Sequence, residues 1–251
     1  GLFALSRLAE DGVDLYTRQR RVDIDGPLDV ELLRRSAAAM LDRHPNLRAA
    51  FWDRGVERPV QIVPAHAELP WTERPASPTE FDAIARSERR RPFDLSRGPA
   101  LRVVVLRVPG ECRRRLIFTV HHILMDGWAL GVFFTEMLAV YRAGGSTGGL
   151  LPPRPYRDYI AWLARQDRAA VLSRWNDYLS GVSAPLMVAD GTVAPRDGVP
   201  GTAERVLPAA DTARLRNWAA RNGLTLNTAV LFAWAVVLSR LTDRRDVVFG
   251  T

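Results

Sequence analysis

The sequence contains no lysine. All 35 of its basic residues are arginines, set against 28 acidic residues for a formal net charge of +7 over 251 residues. Net positive charge by itself points toward nucleic acid, but these arginines are scattered and mostly interleaved with Asp and Glu. The densest runs are Arg89-Arg90-Arg91, in a charged helix-like stretch, and Arg113-Arg114-Arg115, in an expected turn. They read as solvated surface, with attraction of an acidic protein partner as the alternative, and nucleic acid is not expected as a partner. Cysteine is almost absent. Cys112 alone excludes an internal disulfide and fits a reducing cytoplasm, where it reads as a buried or idle thiol and not a catalytic one. No second cysteine joins the four histidines, whose spacing offers no metal set, and His66 between two alanines reads as surface. Long apolar runs are missing too. The longest, 229–238, has ten residues, too few to span a membrane, and reads as a buried helix. The opening Gly1-Leu2-Phe3-Ala4-Leu5 is too short for a signal peptide, and no basic segment precedes it. There is no initiator Met, so the sequence is expected to be cut from a longer, cytoplasmic chain without a membrane partner.

What the sequence does have is apolar mass. Hydrophobic residues make up 47%, with seven Trp and nine Phe, enough for a real core and too much for a disordered tail. Periodicity divides it. Val22-Asp23-Ile24-Asp25 alternates like a strand and stops at Gly26-Pro27. A helix is expected over 29–43, capped by Asp29 and ended by Pro45, with Leu32, Leu33, Ala37, Met40 and Leu41 on one face. Short strands are expected at 47–52 and 60–63, and a charged helix at 80–90. The runs 101–108 and 116–120 read as strands covered on both faces, joined through a Pro109-Gly110 turn. Helices follow at 128–142, 156–166 and 167–179. A Pro- and Gly-rich linker is expected over 181–200, then a strand at 203–207, helices at 211–221 and 225–241, and a strand starting at 246. The last helix is apolar nearly all round and reads as the centre of a second lobe. The expected division is a first lobe at 1–180, the linker at 181–200, and part of a second lobe at 201–251.

One segment carries chemistry. Leu116-Ile117-Phe118-Thr119-Val120 runs straight into His121-His122-Ile123-Leu124-Met125-Asp126-Gly127-Trp128. A buried strand delivers two histidines to its end, a tight turn follows, and a helix opens; sites collect at such strand ends. An imidazole exchanges protons near neutral pH. Asp126 can cap the new helix, favoured by its dipole, or accept a charge-assisted bond from an arginine. Gly127 leaves room for a substrate or for an unusual backbone angle.

The pattern His-His-x-x-x-Asp-Gly at 121–127 resembles the core motif of nonribosomal peptide synthetase condensation domains, shared with the chloramphenicol acetyltransferase-like superfamily. Arg43-His44-Pro45-Asn46-Leu47-Arg48-Ala49-Ala50-Phe51 resembles the family's second motif, and Tyr156-Arg157-Asp158-Tyr159-Ile160-Ala161-Trp162 its fourth. Leu224-Thr225-Leu226-Asn227-Thr228 and Asp246-Val247-Val248-Phe249-Gly250 resemble later segments, and Gly1-Leu2-Phe3 the tail of the first motif. The matches follow the family order along the chain.

The resemblance implies an α/β fold of two chloramphenicol acetyltransferase-like lobes in a V, the second incomplete here. It implies amide-bond formation between a donor peptidyl or aminoacyl thioester and an acceptor aminoacyl thioester. Both are carried on the phosphopantetheine arms of carrier proteins, so this chain itself binds no cofactor. Implied partners are the donor and acceptor carrier proteins, the remainder of the domain and an adjacent adenylation domain. His122 is the implied catalytic or positioning residue, and His121 the structural histidine that holds the loop. Asp126 is the implied partner of Arg48, in a buried pair whose loss on one side would cost roughly 3–5 kcal/mol. Gly127 shapes the loop, and Trp128 and Met125 are candidates for lining a substrate tunnel, with Trp128 better read as a core aromatic. Tyr156, Asp158 and Trp162 read as helix packing, and Arg43 and His44 as charge suited to a helix C-terminus. The segments 121–128, 12–16 and 60–63 are most similar to the subclass that takes a D donor and an L acceptor. Rival readings are an epimerization domain of the same fold, an acyltransferase using an acyl-coenzyme A donor, and a recruitment domain without activity.

Overall fold

A computed structural model describes residues 2–6, 14–182, 184–188 and 203–250. The chain divides into two compact units, Gly1–Arg165 and Gln166–Thr251.

The first unit runs α1 (Leu2–Ser6), β1 (Thr17–Asp25), α2 (Val30–Arg43), a short 3-10 turn (Pro45–Arg48), β2 (Ala50–Trp52), β3 (Val60–Ile62) and β4 (Trp71–Pro75). It continues through α3 (Phe81–Arg90), β5 (Leu101–Arg107), β6 (Arg113–His121), α4 (Gly127–Arg142) and α5 (Tyr156–Ala164). Four strands form one sheet in the order β1-β6-β5-β4, antiparallel except for the β4–β5 pair, and β2 pairs with β3 as a separate ribbon. Every residue of β5 except Arg107 is buried, because helices cover both faces. Val103, Val105, Leu116, Phe118 and Val120 pack on one side with Leu33, Ala37, Met40 and Leu41 of α2 and Phe133, Met137 and Val140 of α4. Val104, Leu106 and Ile117 pack on the other with Phe81 and Ala85 of α3. Phe118 meets the Phe133 ring at 4.9 Å, and burial of each such ring contributes about 1.5–3 kcal/mol.

Local chemistry sets the boundaries. The Asp29 carboxylate accepts from Leu32 N at 2.8 Å and starts α2 as expected. The strand expected at 47–52 is shorter. Pro45 opens the 3-10 turn, closed by Leu47 N to His44 O at 2.9 Å, and extended backbone begins only at Ala50. Arg113-Arg114-Arg115, expected in a turn, instead opens β6. Asp25, Ile24 and Asp23 of β1 lie opposite, and Arg115 bonds both Asp23 oxygens at 2.6 and 2.8 Å and Asp82 at 2.6 Å. Strand β4 has no counterpart in the sequence reading. Trp-Thr-Glu-Arg-Pro lies at the sheet edge with only Trp71 half-buried, so no apolar alternation announces it.

The second unit holds α6 (Arg168–Tyr178), α7 (Ala209–Arg221) and α8 (Leu226–Thr242). Asn222 and Gly223 end α7, with Gly223 at φ 67° and Leu224 N bonded to Ala219 O at 2.9 Å; Thr225 caps α8. The strands expected at 203–207 and from 246 onward do not form: a strand needs a neighbour, and the described residues of this unit hold none. Much of the expected linker, residues 183 and 189–200, lies outside the described residues. Helix α8, expected to be central, buries Leu238 alone and leaves Phe232 71% exposed beside Val230, Trp234 and Val236. Among the described residues no single helix is long and apolar enough to cross a membrane.

Candidate active site

Strand β6 ends on His121, paired with Thr17 of β1, and His122 is the first residue beyond it. His122 N donates to Tyr16 O at 2.8 Å, so the ladder is closed one step past the strand. The chain then turns, with Leu124 N on His121 O at 3.1 Å, and α4 opens at Gly127. Asp126 caps it, its carboxylate accepting from Ala129 N at 2.8 Å.

The two imidazoles have opposite tautomers, as their partners dictate. Nδ1 of His121 accepts from Ile123 N at 3.0 Å, so this nitrogen bears a lone pair and the proton sits on Nε2. Nε2 lies 2.8 Å from Asp14 Oδ2 and 3.1 Å from Ser6 Oγ, and the Ser6 hydroxyl donates to the same carboxylate oxygen at 2.8 Å. Burial pushes the His121 pKa down, opposed by the Asp14 charge; the nearby His122 adds to the lowering. In His122 the order is reversed. Nδ1 lies 3.1 Å from Met125 O, an atom that can only accept, so Nδ1 carries the proton. Nε2 of this half-buried ring is left with an available lone pair and bonds to no group among the described residues.

His121, His122, Met125, Asp126, Gly127 and Trp128 thus sit on one continuous turn. Arg48 does not join them. It is 8% exposed, and its guanidinium bonds the carbonyl oxygens of Leu41 at 2.5 Å, Asp42 at 3.3 Å and Pro64 at 3.0 Å. The expected Arg48–Asp126 pair is therefore not formed, because backbone carbonyls and the Asp42 carboxylate, 3.9 Å away, surround the guanidinium and an amide occupies the exposed Asp126 carboxylate. Trp128, read as a core aromatic, is 88% exposed on the first turn of α4. Met125, offered as a wall residue, is 6% exposed within the core, so its carbonyl and not its side chain serves His122. Gly127 has no positive φ, and a Cβ built there would meet nothing within 4 Å. Tyr156 and Trp162 of α5 are half-exposed at 49% and 48%, with Tyr159 between them at 5.8 Å from each ring. Arg43 and His44 do end α2, and both also contact Glu136 of α4. Sequence reasoning assigned no role to Ser6 or to the Asp14 carboxylate. Nothing in their spacing points to His121, more than a hundred residues on.

Among the described residues no cluster of three His, Cys, Asp or Glu side chains could hold a metal ion.

A family model described as "Condensation domain" matches residues 1–251. The chain is 32% identical over 249 residues to bacitracin synthase 3 of Bacillus licheniformis, a match covering 95% of this chain and 4% of that protein. It is 34% identical over 247 residues to chondramide synthase cmdD of Chondromyces crocatus, covering 96% of this chain and 6% of that one. Among solved structures, the first condensation domain of the calcium-dependent antibiotic synthetase superposes with a TM-score of 0.73 at 22% identity. That superposition covers 98% of this chain and 59% of the other, and the likeness is one of fold. The chain therefore spans a small fraction of the synthetases it matches.

Proposed function

Since the chain belongs to the condensation-domain family, we propose that it forms amide bonds within a nonribosomal peptide synthetase, with His122 as the reacting group. The donor is a peptidyl or aminoacyl thioester and the acceptor an aminoacyl thioester, each presented on the phosphopantetheine arm of a carrier protein. The observation that carries this reading is the 3.1 Å contact between His122 Nδ1 and Met125 O: a carbonyl only accepts, so it holds the proton on Nδ1 and leaves Nε2 as a base.

The acceptor α-amine attacks the thioester carbonyl, forming the C–N bond as the C–S bond breaks. The amine proton passes to Nε2 and then to the departing thiolate. General-base help of this kind is worth about a hundred- to ten-thousand-fold. Holding the amine in line through the same lone pair contributes several kcal/mol more. His121 and Asp126 serve the site indirectly, one packing under the turn and the other fixing the start of α4.

The D-donor, L-acceptor subclass is part of the proposal and rests on the similarity of segments 121–128, 12–16 and 60–63. So is the division into a first lobe at 1–180, a linker at 181–200 and part of a second lobe at 201–251. The remainder of such a domain is the proposed cover for the exposed apolar side chains of α8, and an adenylation domain the proposed neighbour.

The test is intact-mass analysis of carrier proteins. Donor-loaded and acceptor-loaded forms are mixed with the synthetase that carries this chain, native or His122→Ala. An acceptor carrier that gains the donor's mass, and fails to with the variant, supports the reading; parallel D and L donors decide the subclass. Transfer that survives His122→Ala overturns it, and a well-folded protein that transfers nothing turns the reading toward epimerization or recruitment.

A further inference from the structure

Asp14 lies just ahead of β1, and its carboxylate bonds both the buried ring of His121 and the start of that strand. Oδ2 accepts from His121 Nε2 at 2.8 Å and from the Ser6 hydroxyl at 2.8 Å. Oδ1 accepts from Tyr16 N at 2.8 Å, and the backbone carbonyl accepts from Thr17 N at 3.1 Å. The carboxylate is 11% exposed and His121 fully buried, so these charge-assisted bonds work in a nearly dry setting. Two paths lead from it to His122. One goes through the His121 ring to Ile123 N at 3.0 Å, and so into the turn that ends at Met125 O. The other goes through Tyr16, whose carbonyl holds His122 N at 2.8 Å.

We propose that Asp14 is a positioning residue for the reacting histidine, fixing the tautomer of His121 and the backbone on both sides of His122, with Ser6 as its support. The proposal rests on the reading of His122 as the reacting group. Its chemical content is polarity. At the Oδ2 position a carboxylate can only accept, and acceptance there obliges His121 to carry its proton on Nε2 and offer a lone pair to Ile123 N. Asn at position 14 keeps the shape and breaks this logic. If its oxygen stays on Tyr16 N, its NH2 faces Nε2 and demands a lone pair there, and the Ile123 bond is lost. If the amide turns over, the Tyr16 bond is lost instead. Either way one of the two paths to His122 is cut without a cavity.

The test reads the tautomers directly. Long-range ¹H–¹⁵N correlation on histidine-labelled chain is expected to show native His121 protonated on Nε2 and His122 on Nδ1. A native His121 protonated on Nδ1 overturns the proposal, whatever the variants do. In Asp14→Asn the His121 proton is expected to move to Nδ1 or to exchange between the two nitrogens; where the amide turns over it stays on Nε2, and the loss is read in kcat alone. In the synthetase, kcat for mass transfer is expected to fall about ten- to a hundred-fold, with KM for the loaded acceptor carrier little changed. Asp14→Glu, which restores the charge, is expected to recover part of both. An Asp14→Asn protein that keeps the native tautomers and the native kcat overturns the proposal. The failure of the underlying reading looks different: His122→Ala then transfers donor mass at the native rate while the Asp14 tautomer effects stand.

Discussion

Arg43 and Glu136 face each other fork to fork, Nε to Oε2 at 2.9 Å and Nη2 to Oε1 at 3.1 Å, and so tie the end of α2 to the middle of α4. His44 Nε2 adds a contact of 2.7 Å to the same carboxylate, and Arg43 also bonds the carbonyl of Leu151. Helix α4 begins where the histidine turn ends, so this clamp steadies the site from below.

The clamp predicts a pH dependence. The bond from Arg43 is the main cause that holds the Glu136 carboxyl below its ordinary value of 4.5, with His44 adding to it and burial opposing it. A carboxylate with a lowered folded pKa contributes stability that is complete above the unfolded value and lost as pH falls through the folded one. Glu136→Gln is therefore expected to cost about 1–3 kcal/mol at pH 7, between the values for exposed and buried pairs. The difference between native and variant urea midpoints should shrink below about pH 4.5. A difference that stays constant from pH 7 to pH 3 would sink the assignment.

Asp126 and Arg48 make no bond to each other, which separates two costs that a buried pair would have merged. Asp126→Ala removes a helix cap and is expected to cost about 1 kcal/mol. Arg48→Ala leaves the carbonyls of Leu41, Asp42 and Pro64 without their donor and is expected to cost more, about 1–3 kcal/mol. In a double-mutant cycle by chemical denaturation the two should add within about 0.5 kcal/mol. A coupling near 3 kcal/mol would restore the pair.

These two residues also mark the limit of what was readable in the sequence. Caps were legible at Asp29 and Asp126, because each acts on an amide three positions away. The buried strands β5 and β6 and the histidines at the strand end were legible from apolar runs that stop at turn residues. Partners far along the chain were not. Arg48 could have met any carboxylate, and only the fold brings it to that of Asp42 and to the carbonyls of Leu41, Asp42 and Pro64. Asp14 and His121 meet because β1 and β6 pair in one register, which a single sequence does not fix. Edge strand β4 and the compensated arginines of β6 were missed for a related reason: their stabilisation comes from neighbours and not from their own pattern.

Arg102 is a buried cation built into the sheet. It is 4% exposed, bonds Glu88 Oε2 at 3.1 Å and the carbonyls of Glu88 and Arg91, and lies 4.1 Å from the centre of the Phe93 ring. Burial, with Arg91 nearby, pushes its pKa down to about 10, so it stays charged at neutral pH. A planar fork serves these partners together, and an ammonium does not. Arg102→Lys is expected to destabilise the first unit by about 2–4 kcal/mol despite keeping the charge. Unfolding within about 0.5 kcal/mol of native would show that charge alone suffices.

His121 gives a second pH window, well separated from that of Glu136. Burial is the main cause that lowers its folded pKa below 6.5, and the Asp14 carboxylate only partly offsets it. Below pH 6.5 the unfolded chain takes up a proton that the folded ring resists, so the unfolded state binds more protons and stability falls with pH. The loss should begin near pH 6.5 and stop growing once pH passes the folded value. Urea midpoints at half-unit steps from pH 7.5 to pH 5 read it. His121→Gln, which cannot titrate, is expected to be less stable throughout but flatter over this range. A native midpoint that rises as pH falls from 7 to 5 would mean that Asp14 outweighs burial and holds His121 as an imidazolium. Nδ1 could then no longer accept from Ile123 N, and the turn that presents His122 would have to open.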